Sequence, residues 1–334
     1  MGSIKLGNLS VDKMFVGDKR VDKAYYGSVL IYSGVVVGDS CTIANLGSSN
    51  PTSVTFTKTT GFPTAAQCYE EVTFNGDVFA KFTPWYKKAV FSGSELIGFV
   101  ISNKKEDADF QPYDCFLDES GNLLPYILIG KFYLSSTSAA SSVDAARATM
   151  TIGTGRSLCR ARGTGYQQMD AAMQMFWRDL ALACSETVDF NNGSGVASYL
   201  GLARMTEGGW WIDGLTHVDA TYLYCSKPSK YVDSPTALTD GYSALSYAMP
   251  TSNGSCVSKL GYDSNHPTIN FPSASVSNSS FNTYYCDGLY YNTGNRPCNV
   301  LVGYANAGNG LFYLNGFLDW SNALGVRLCY KPIS

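Results

Sequence analysis

The clearest helical period in this 334-residue chain runs from Gln168 to Cys184. Met169, Ala172, Met173, Phe176, Leu180 and Ala183 recur there at three- and four-residue spacing, the pattern of one buried helix face. Asp170 favours the start of that helix through the helix dipole. Elsewhere the apolar runs are short. Val54-Thr55-Phe56-Thr57, Val78-Phe79-Ala80-Lys81-Phe82, Ile97-Gly98-Phe99-Val100-Ile101-Ser102 and Tyr126-Ile127-Leu128-Ile129-Gly130-Lys131-Phe132 are each strand-sized, and Gly, Pro, Asn and Ser separate them. Such a chain is expected to be α+β, β-rich with one or two packed helices.

Residues 4–33 carry a repeat of ten. Val11-Asp12-Lys13-Met14-Phe15-Val16-Gly17-Asp18 is echoed by Val21-Asp22-Lys23-Ala24-Tyr25-Tyr26-Gly27-Ser28. Each copy reads as a short strand ending in a two-residue hairpin signal, so residues 1–33 are expected to form a small β-meander, too short to bury a core alone. Residues 34–62, rich in Gly, Ser and Thr, are expected to be a linker or the first strand of a main domain spanning 63–334. Within that domain Lys87 and Lys88 read as a solvated strand edge. The Ser/Ala-rich residues 135–150 read as an exposed loop. Residues 226–280, interrupted by Pro228, Pro235, Pro250, Pro267 and Pro272, read as an irregular insertion in which Tyr242, Tyr247 and Tyr262 extend a binding face and His266 is a loop residue.

Several function classes lack their residues. The net charge is -3, and beyond Tyr231 the only cations are Lys259, Arg296, Arg327 and Lys331. No nucleic-acid partner is expected, because phosphate binding needs clustered Lys and Arg. Ten cysteines are spread along the chain with no C-x-x-C, which argues against zinc ribbons and thioredoxin chemistry; they are expected to be small buried apolar residues. The two histidines, His217 and His266, give general acid-base catalysis little material. Neither G-x-S-x-G nor H-E-x-x-H occurs, and Gly163 and Gly165 lack the Lys-Ser/Thr of a phosphate loop. No apolar signal core opens the chain and no run is long enough to span a membrane, so synthesis without export is expected. No cofactor is expected.

Gly208-Gly209-Trp210-Trp211-Ile212-Asp213-Gly214-Leu215 reads as a central strand with Trp210 or Trp211 buried and a tight turn at Asp213-Gly214; Tyr222-Leu223-Tyr224 is its expected partner. A lone Asp before Gly is a turn residue more often than a metal ligand, so no metal is expected. The chain then ends on Gly303–Tyr330, where aromatics and asparagines alternate with small residues and almost no charge. Aromatics give large contact area at low rotamer cost, and small polar residues give adaptable hydrogen bonding, as in a binding paratope.

The residues Gly308-Asn309-Gly310-Leu311-Phe312-Tyr313-Leu314-Asn315, then Asn322 and Gly325-Val326-Arg327-Leu328, with Asn295-Arg296-Pro297-Cys298-Asn299 upstream, resemble the closing motif of variable proteins diversified by retroelements. Those proteins have a C-type-lectin-like fold related to sulfatase-modifying factors, whose Trp-x-Asp-Gly core the Trp211–Gly214 motif resembles. The resemblance covers roughly the last third of the chain. In such proteins asparagine codons of a template are copied with errors at adenine. Tyr304, Phe317, Leu318 and Leu324 stand where a template commonly carries Asn, and each is reachable from an Asn codon by changes at its adenines. Trp is not reachable, which makes Trp320 a fixed framework residue.

The resemblance implies a C-type-lectin-like domain with a variable region at about 284–328 and no catalysis. It implies a phage-tail protein in the virion, a homo-oligomer in kind with its relatives, that displays Tyr290, Tyr304, Asn306, Asn309, Asn315, Phe317, Leu318, Asn322 and Leu324 to a bacterial cell-surface receptor. Residues 1–33 would attach it to virion tail proteins. Two alternatives stand beside this: a structural tail-decoration protein, and a lectin-fold enzyme acting on host glycan. Some relatives oxidise a substrate cysteine with a cysteine pair, for which Cys298 and Cys329 are the candidates within this segment.

Overall fold

The computed structural model describes residues 38–135, 148–189, 198–203, 209–236, 241–278, 280, 282–300, 312–316 and 318–333, and before residue 38 the backbone of the strands alone. Those N-terminal strands pair two by two: Lys5–Leu6 with Leu9–Ser10, Met14–Val16 with Lys19–Val21, and Lys23–Tyr26 with Val29–Ser33. The ten-residue period is therefore a period of hairpins. Gly17-Asp18 and Gly27-Ser28 lie outside the described residues.

Two sheets form the body of a β-rich α+β fold. The smaller is antiparallel, in the order Tyr166–Gln168, Arg327–Tyr330, Ile127–Tyr133, Asp77–Phe82, Glu70–Phe74. The larger has thirteen strands and is mixed, because Gly288–Tyr291 runs parallel to Leu314–Gly316. The segment expected to be a linker or a first strand supplies two strands of this sheet: Ser40–Ala44 pairs with both Glu95–Ser102 and Thr55–Lys58.

Two α-helices are present among the described residues. α2 (Ala171–Ser185) matches the periodic stretch, and its N-cap Asp170 accepts from Met173 N at 2.8 Å. Its apolar face is buried as expected, but so is the rest: Gln174, Arg178 and Asp179 are also sequestered. α1 (Ile152–Ala161) is the second of the one or two helices expected, in a place the apolar pattern does not mark. Gly153 and Gly155 dilute its apolar pattern, while its N-cap Thr151, accepting from Thr154 N, is the legible signal.

Other expectations are corrected. Lys87 is not on a solvated edge. Its strand Tyr86–Ser92 lies between Glu95–Ser102 and Gln111–Pro112, and its ammonium is fully buried 2.6 Å from Asp179. Lys88 is the half-exposed one, paired with Asp107 and Asp109. Residues 226–280 contain three strands, Ser243–Ala248, Ser255–Gly261 and Pro272–Val276, so the prolines bound elements there instead of preventing them. Tyr242 and Tyr247 are buried in consequence. Asp213-Gly214 is not a turn: the strand Trp210–Val218 runs through it with a register shift, and Gly214 (φ +72°) makes the bulge. The reversal comes at Asp219 (φ +49°), leading into Thr221–Tyr224, the expected partner.

Candidate ligand-binding face

Both Trp210 and Trp211 are fully buried and fix the strand that supports the C-terminal segment. Trp211 donates its indole N–H to Met150 O at 2.9 Å. Trp210 pairs with Val300 on one side and bridges Gly325 on the other. Asp213 is held by Arg156 through two hydrogen bonds of 2.7 Å, and Arg156 also binds Asp233. This carboxylate is committed to an ion pair. Among the described residues no group of three His, Cys, Asp or Glu is placed to hold a metal ion.

Residues 301–311 and Phe317 lie outside the described residues, which places Tyr304, Asn306, Asn309 and Phe317 outside them too. The chain on either side is fixed. Val300, buried, ends the strand Asn295–Val300 that pairs with Trp210–Val218. Phe312, buried, donates its backbone N–H to Asp287 Oδ2 at 2.6 Å, packs on Tyr285 at 4.5 Å and lies under the Arg178 guanidinium at 5.0 Å. Leu314–Gly316 then enters the sheet between Gly288–Tyr291 and Asn295–Val300.

The nearby predicted positions separate by burial. Tyr290 is 37 % exposed, sits opposite Asn315 across the parallel pair, and has Tyr313 6.0 Å away. Asn315 is half-buried and its side chain hydrogen-bonds the Tyr313 phenol. Asn322 is exposed, but its amide oxygen accepts from Asp319 N at 2.7 Å and closes its own turn. Leu318 and Leu324 are half-buried and pack on the core cluster containing Trp211, Val326 and Leu328. Leu324 is further tied to Met150 by reciprocal backbone hydrogen bonds of 2.9 and 3.0 Å. Trp320 joins the same cluster and donates to Asn295 O at 3.0 Å, while Arg296 pairs with Asp319 across the same gap.

Three supporting residues were not singled out from the sequence. Arg327 is fully buried between Tyr133 at 4.3 Å and Trp210 at 4.9 Å, and donates to Gly130 O, Lys131 O and Ala203 O. It was legible only as part of the Gly-Val-Arg-Leu motif. Asp287 carried no signal. His217 is buried with Nδ1 2.7 Å from Asp219 O and Nε2 2.8 Å from Gly316 O, so it ties the hairpin turn to the end of Leu314–Gly316. Burial lowers its pKa, against the two carbonyls, which favour a doubly protonated ring.

Cys298 and Cys329 are both fully buried, and burial pushes both thiols well up, the opposite of what a nucleophilic or redox-active pair needs. Among the described residues no helix is long and apolar enough to cross a membrane. No protein-family model and no curated protein matches the chain.

Proposed function

We propose that this is a hypervariable receptor-binding protein of a phage tail, with a C-type-lectin-like domain that presents residues of about 284–328 to a bacterial surface ligand. The observation that carries the proposal is the pairing of a fixed base with an Asn- and aromatic-rich segment. Val300 and Phe312, both buried and hydrogen-bonded or paired into the sheet, bracket residues 301–311. A binding surface needs such support, because contacts held by packed neighbours lose less entropy on association. Tyr290 is the exposed aromatic anchor at the edge of this base, and Tyr304, Asn306, Asn309 and Phe317 belong to the segments it brackets. Residues 1–33, with their repeated hairpins, attach the protein to the virion tail, and several copies would add avidity.

The test is binding of purified protein to host cells. Tyr290→Ala and Tyr304→Ala should each weaken adsorption at least tenfold while thermal unfolding stays within about 1 °C, since surface changes usually fall within ±0.5 kcal/mol. Unchanged adsorption by both variants would remove the proposed face.

A second reading, a hydrolase acting on host glycan esters, has one observation in its favour. The exposed Ser243 hydroxyl is 3.3 Å from His266 Nε2, and His266 Nδ1 is 3.8 Å from Asp114 Oδ2. The second distance exceeds a hydrogen bond, and Asp114 already accepts from Tyr224 and Thr268. Covalent labelling of Ser243 by a fluorophosphonate would favour this reading; an unlabelled serine would remove it.

A further inference from the structure

Cys68 and Cys184 stand apart from the other eight cysteines. Cys68 caps the short 3-10 turn Ala65–Gln67 just before the strand Glu70–Phe74. Cys184 lies in the last turn of α2, before the chain reverses at Glu186 (φ +56°). Their sulfurs are 3.5 Å apart, although 116 positions separate them in sequence. Cys184 is half-buried whereas the other nine cysteines are buried, so a small reagent can reach it.

We propose that Cys68 and Cys184 are an oxidation site that closes to a disulfide when the protein meets a peroxide or a disulfide oxidant such as oxidised glutathione. A bond length near 2.05 Å requires the sulfurs to approach by about 1.5 Å. A helix terminus and a short turn supply that movement more readily than two central strands.

The surroundings favour attack at Cys184. The hydrogen bond from Cys68 lowers the Cys184 pKa and raises that of Cys68 itself, and the Lys58 ammonium lowers Cys184 further against its burial, so Cys184 is the thiol that ionises first. The Lys58 side chain reaches the same helix end, with Nζ 3.4 Å from Cys184 O and 2.5 Å from Glu186 Oε1. Thiolate character and access together select the thiol that reacts first. With hydrogen peroxide, the Cys184 thiolate attacks one peroxide oxygen and becomes a sulfenic acid, releasing the other oxygen as water after proton transfer. The Cys68 sulfur then attacks the sulfenic sulfur, the S–O bond breaks, and a second water leaves. Two thiols lose two protons and two electrons in total, and one peroxide becomes two waters. With oxidised glutathione, the Cys184 thiolate attacks one sulfur, the glutathione S–S bond breaks and one glutathione leaves; Cys68 then breaks the mixed disulfide and releases the second glutathione.

The closed bridge ties the end of α2 to the turn before Glu70–Phe74. It constrains a long loop of the unfolded chain and stabilises the fold. Closure of this bridge is independent of receptor binding, and Cys184 lies at the opposite end of α2 from the Asp170 cap.

The experiment treats the full-length protein with oxidised glutathione, then counts thiols after unfolding and maps cross-linked peptides by mass. The expected result is a fall from ten thiols to eight, one cross-link joining the Cys68 and Cys184 peptides, and a melting temperature raised by roughly 5 °C and restored by dithiothreitol. Cys68→Ser should instead hold a glutathione adduct on Cys184, which shows that Cys68 is the resolving thiol. Ten remaining thiols, or a cross-link of Cys184 to Cys41, would overturn the proposal. So would a stable glutathione adduct on Cys184 of the wild-type protein.

Discussion

The Lys87 ammonium and the Asp179 carboxylate meet at 2.6 Å with neither side chain exposed. Asn270 Oδ1 accepts from the same ammonium at 2.6 Å, the Tyr113 hydroxyl donates to Asp179 Oδ2 at 3.0 Å, and Arg178 binds the other carboxylate oxygen. This cluster joins a sheet strand to α2 and to the segment before Pro272–Val276.

Burial lowers the Lys87 pKa from 10.5 to about 8, with Asp179 opposing and Arg178 assisting. Burial raises the Asp179 pKa, but Arg178 and Lys87 overcome it and hold the carboxyl below its ordinary value. Lys87→Met should cost about 3 kcal/mol, because it removes one partner of a buried pair. Between pH 8 and 10.5 the unfolded chain holds more protons at this lysine than the folded protein, so its titration favours folding as pH rises. Urea unfolding at pH 7.5, 9 and 10 should therefore show the variant losing ground to the wild type as pH increases. A constant difference would mean that Lys87 does not titrate in this window.

The buried thiols act in the opposite direction and should dominate. Burial pushes Cys41 up to about 12, Cys225 to about 11 and Cys286 to about 12, each from 9.0. A pKa raised on folding gives stability that is complete below pH 9 and is lost as pH climbs toward the folded value. Each such thiol therefore makes the folded state progressively less favourable as pH rises above 9. Circular dichroism of the reduced protein should show cooperative alkaline unfolding between about pH 9 and 11. A fold that persists beyond that range would show that these thiols ionise freely in place.

Framework and face should respond oppositely. Trp211→Ala removes a fully buried indole and its bond to Met150 O, and should destabilise the domain by about 3–5 kcal/mol. Leu324→Ala should read in both assays, since Leu324 packs on the same cluster and bonds Met150 through its backbone. Calorimetry and cell adsorption on Trp211→Ala, Leu324→Ala and Tyr290→Ala separate these cases. An unstable Tyr290→Ala would place that residue in the core.

Gly316 is tight against His217. A Cβ there would lie 2.4 Å from His217 Nε2 and 2.8 Å from Met249 Cε. Gly316→Ala should cost roughly 1–3 kcal/mol through overpacking. It should also displace the start of the segment that continues into Phe317, and the His217 ring resonances should shift by NMR. Unchanged His217 resonances would mean that the ring and Gly316 are not in contact.

Much of this fold was legible because local signals agreed with burial. The α2 spacing, the Trp210–Val218 strand and its partner Thr221–Tyr224 could be read directly from apolar pattern. Lys87 could not, because charge reads as surface and only Asp179, ninety-two positions away, reverses that. Tyr242 and Tyr247 read as a face because prolines suggested a loop, whereas Tyr247 bonds Ile269 O inside the sheet packing. For the candidate face, the sequence supplied composition and an adenine-based argument for which positions vary. Which of those positions also carry structure, as Leu324 and Leu318 do, depends on tertiary contacts that no local pattern encodes.

The most direct measurement is the DNA sequence flanking the gene. Targeted diversification requires a near-copy of the stretch encoding Gly303–Leu328 beside a reverse-transcriptase gene, differing from it at adenines of the copy. The expected differences fall at the codons for Tyr304, Phe317, Leu318 and Leu324, with the Trp211, Trp320 and Arg327 codons unchanged wherever the copy covers them. A flanking region with neither copy nor reverse transcriptase, or a copy differing at the Arg327 codon as often as at the Tyr304 codon, would contradict a diversified receptor-binding face.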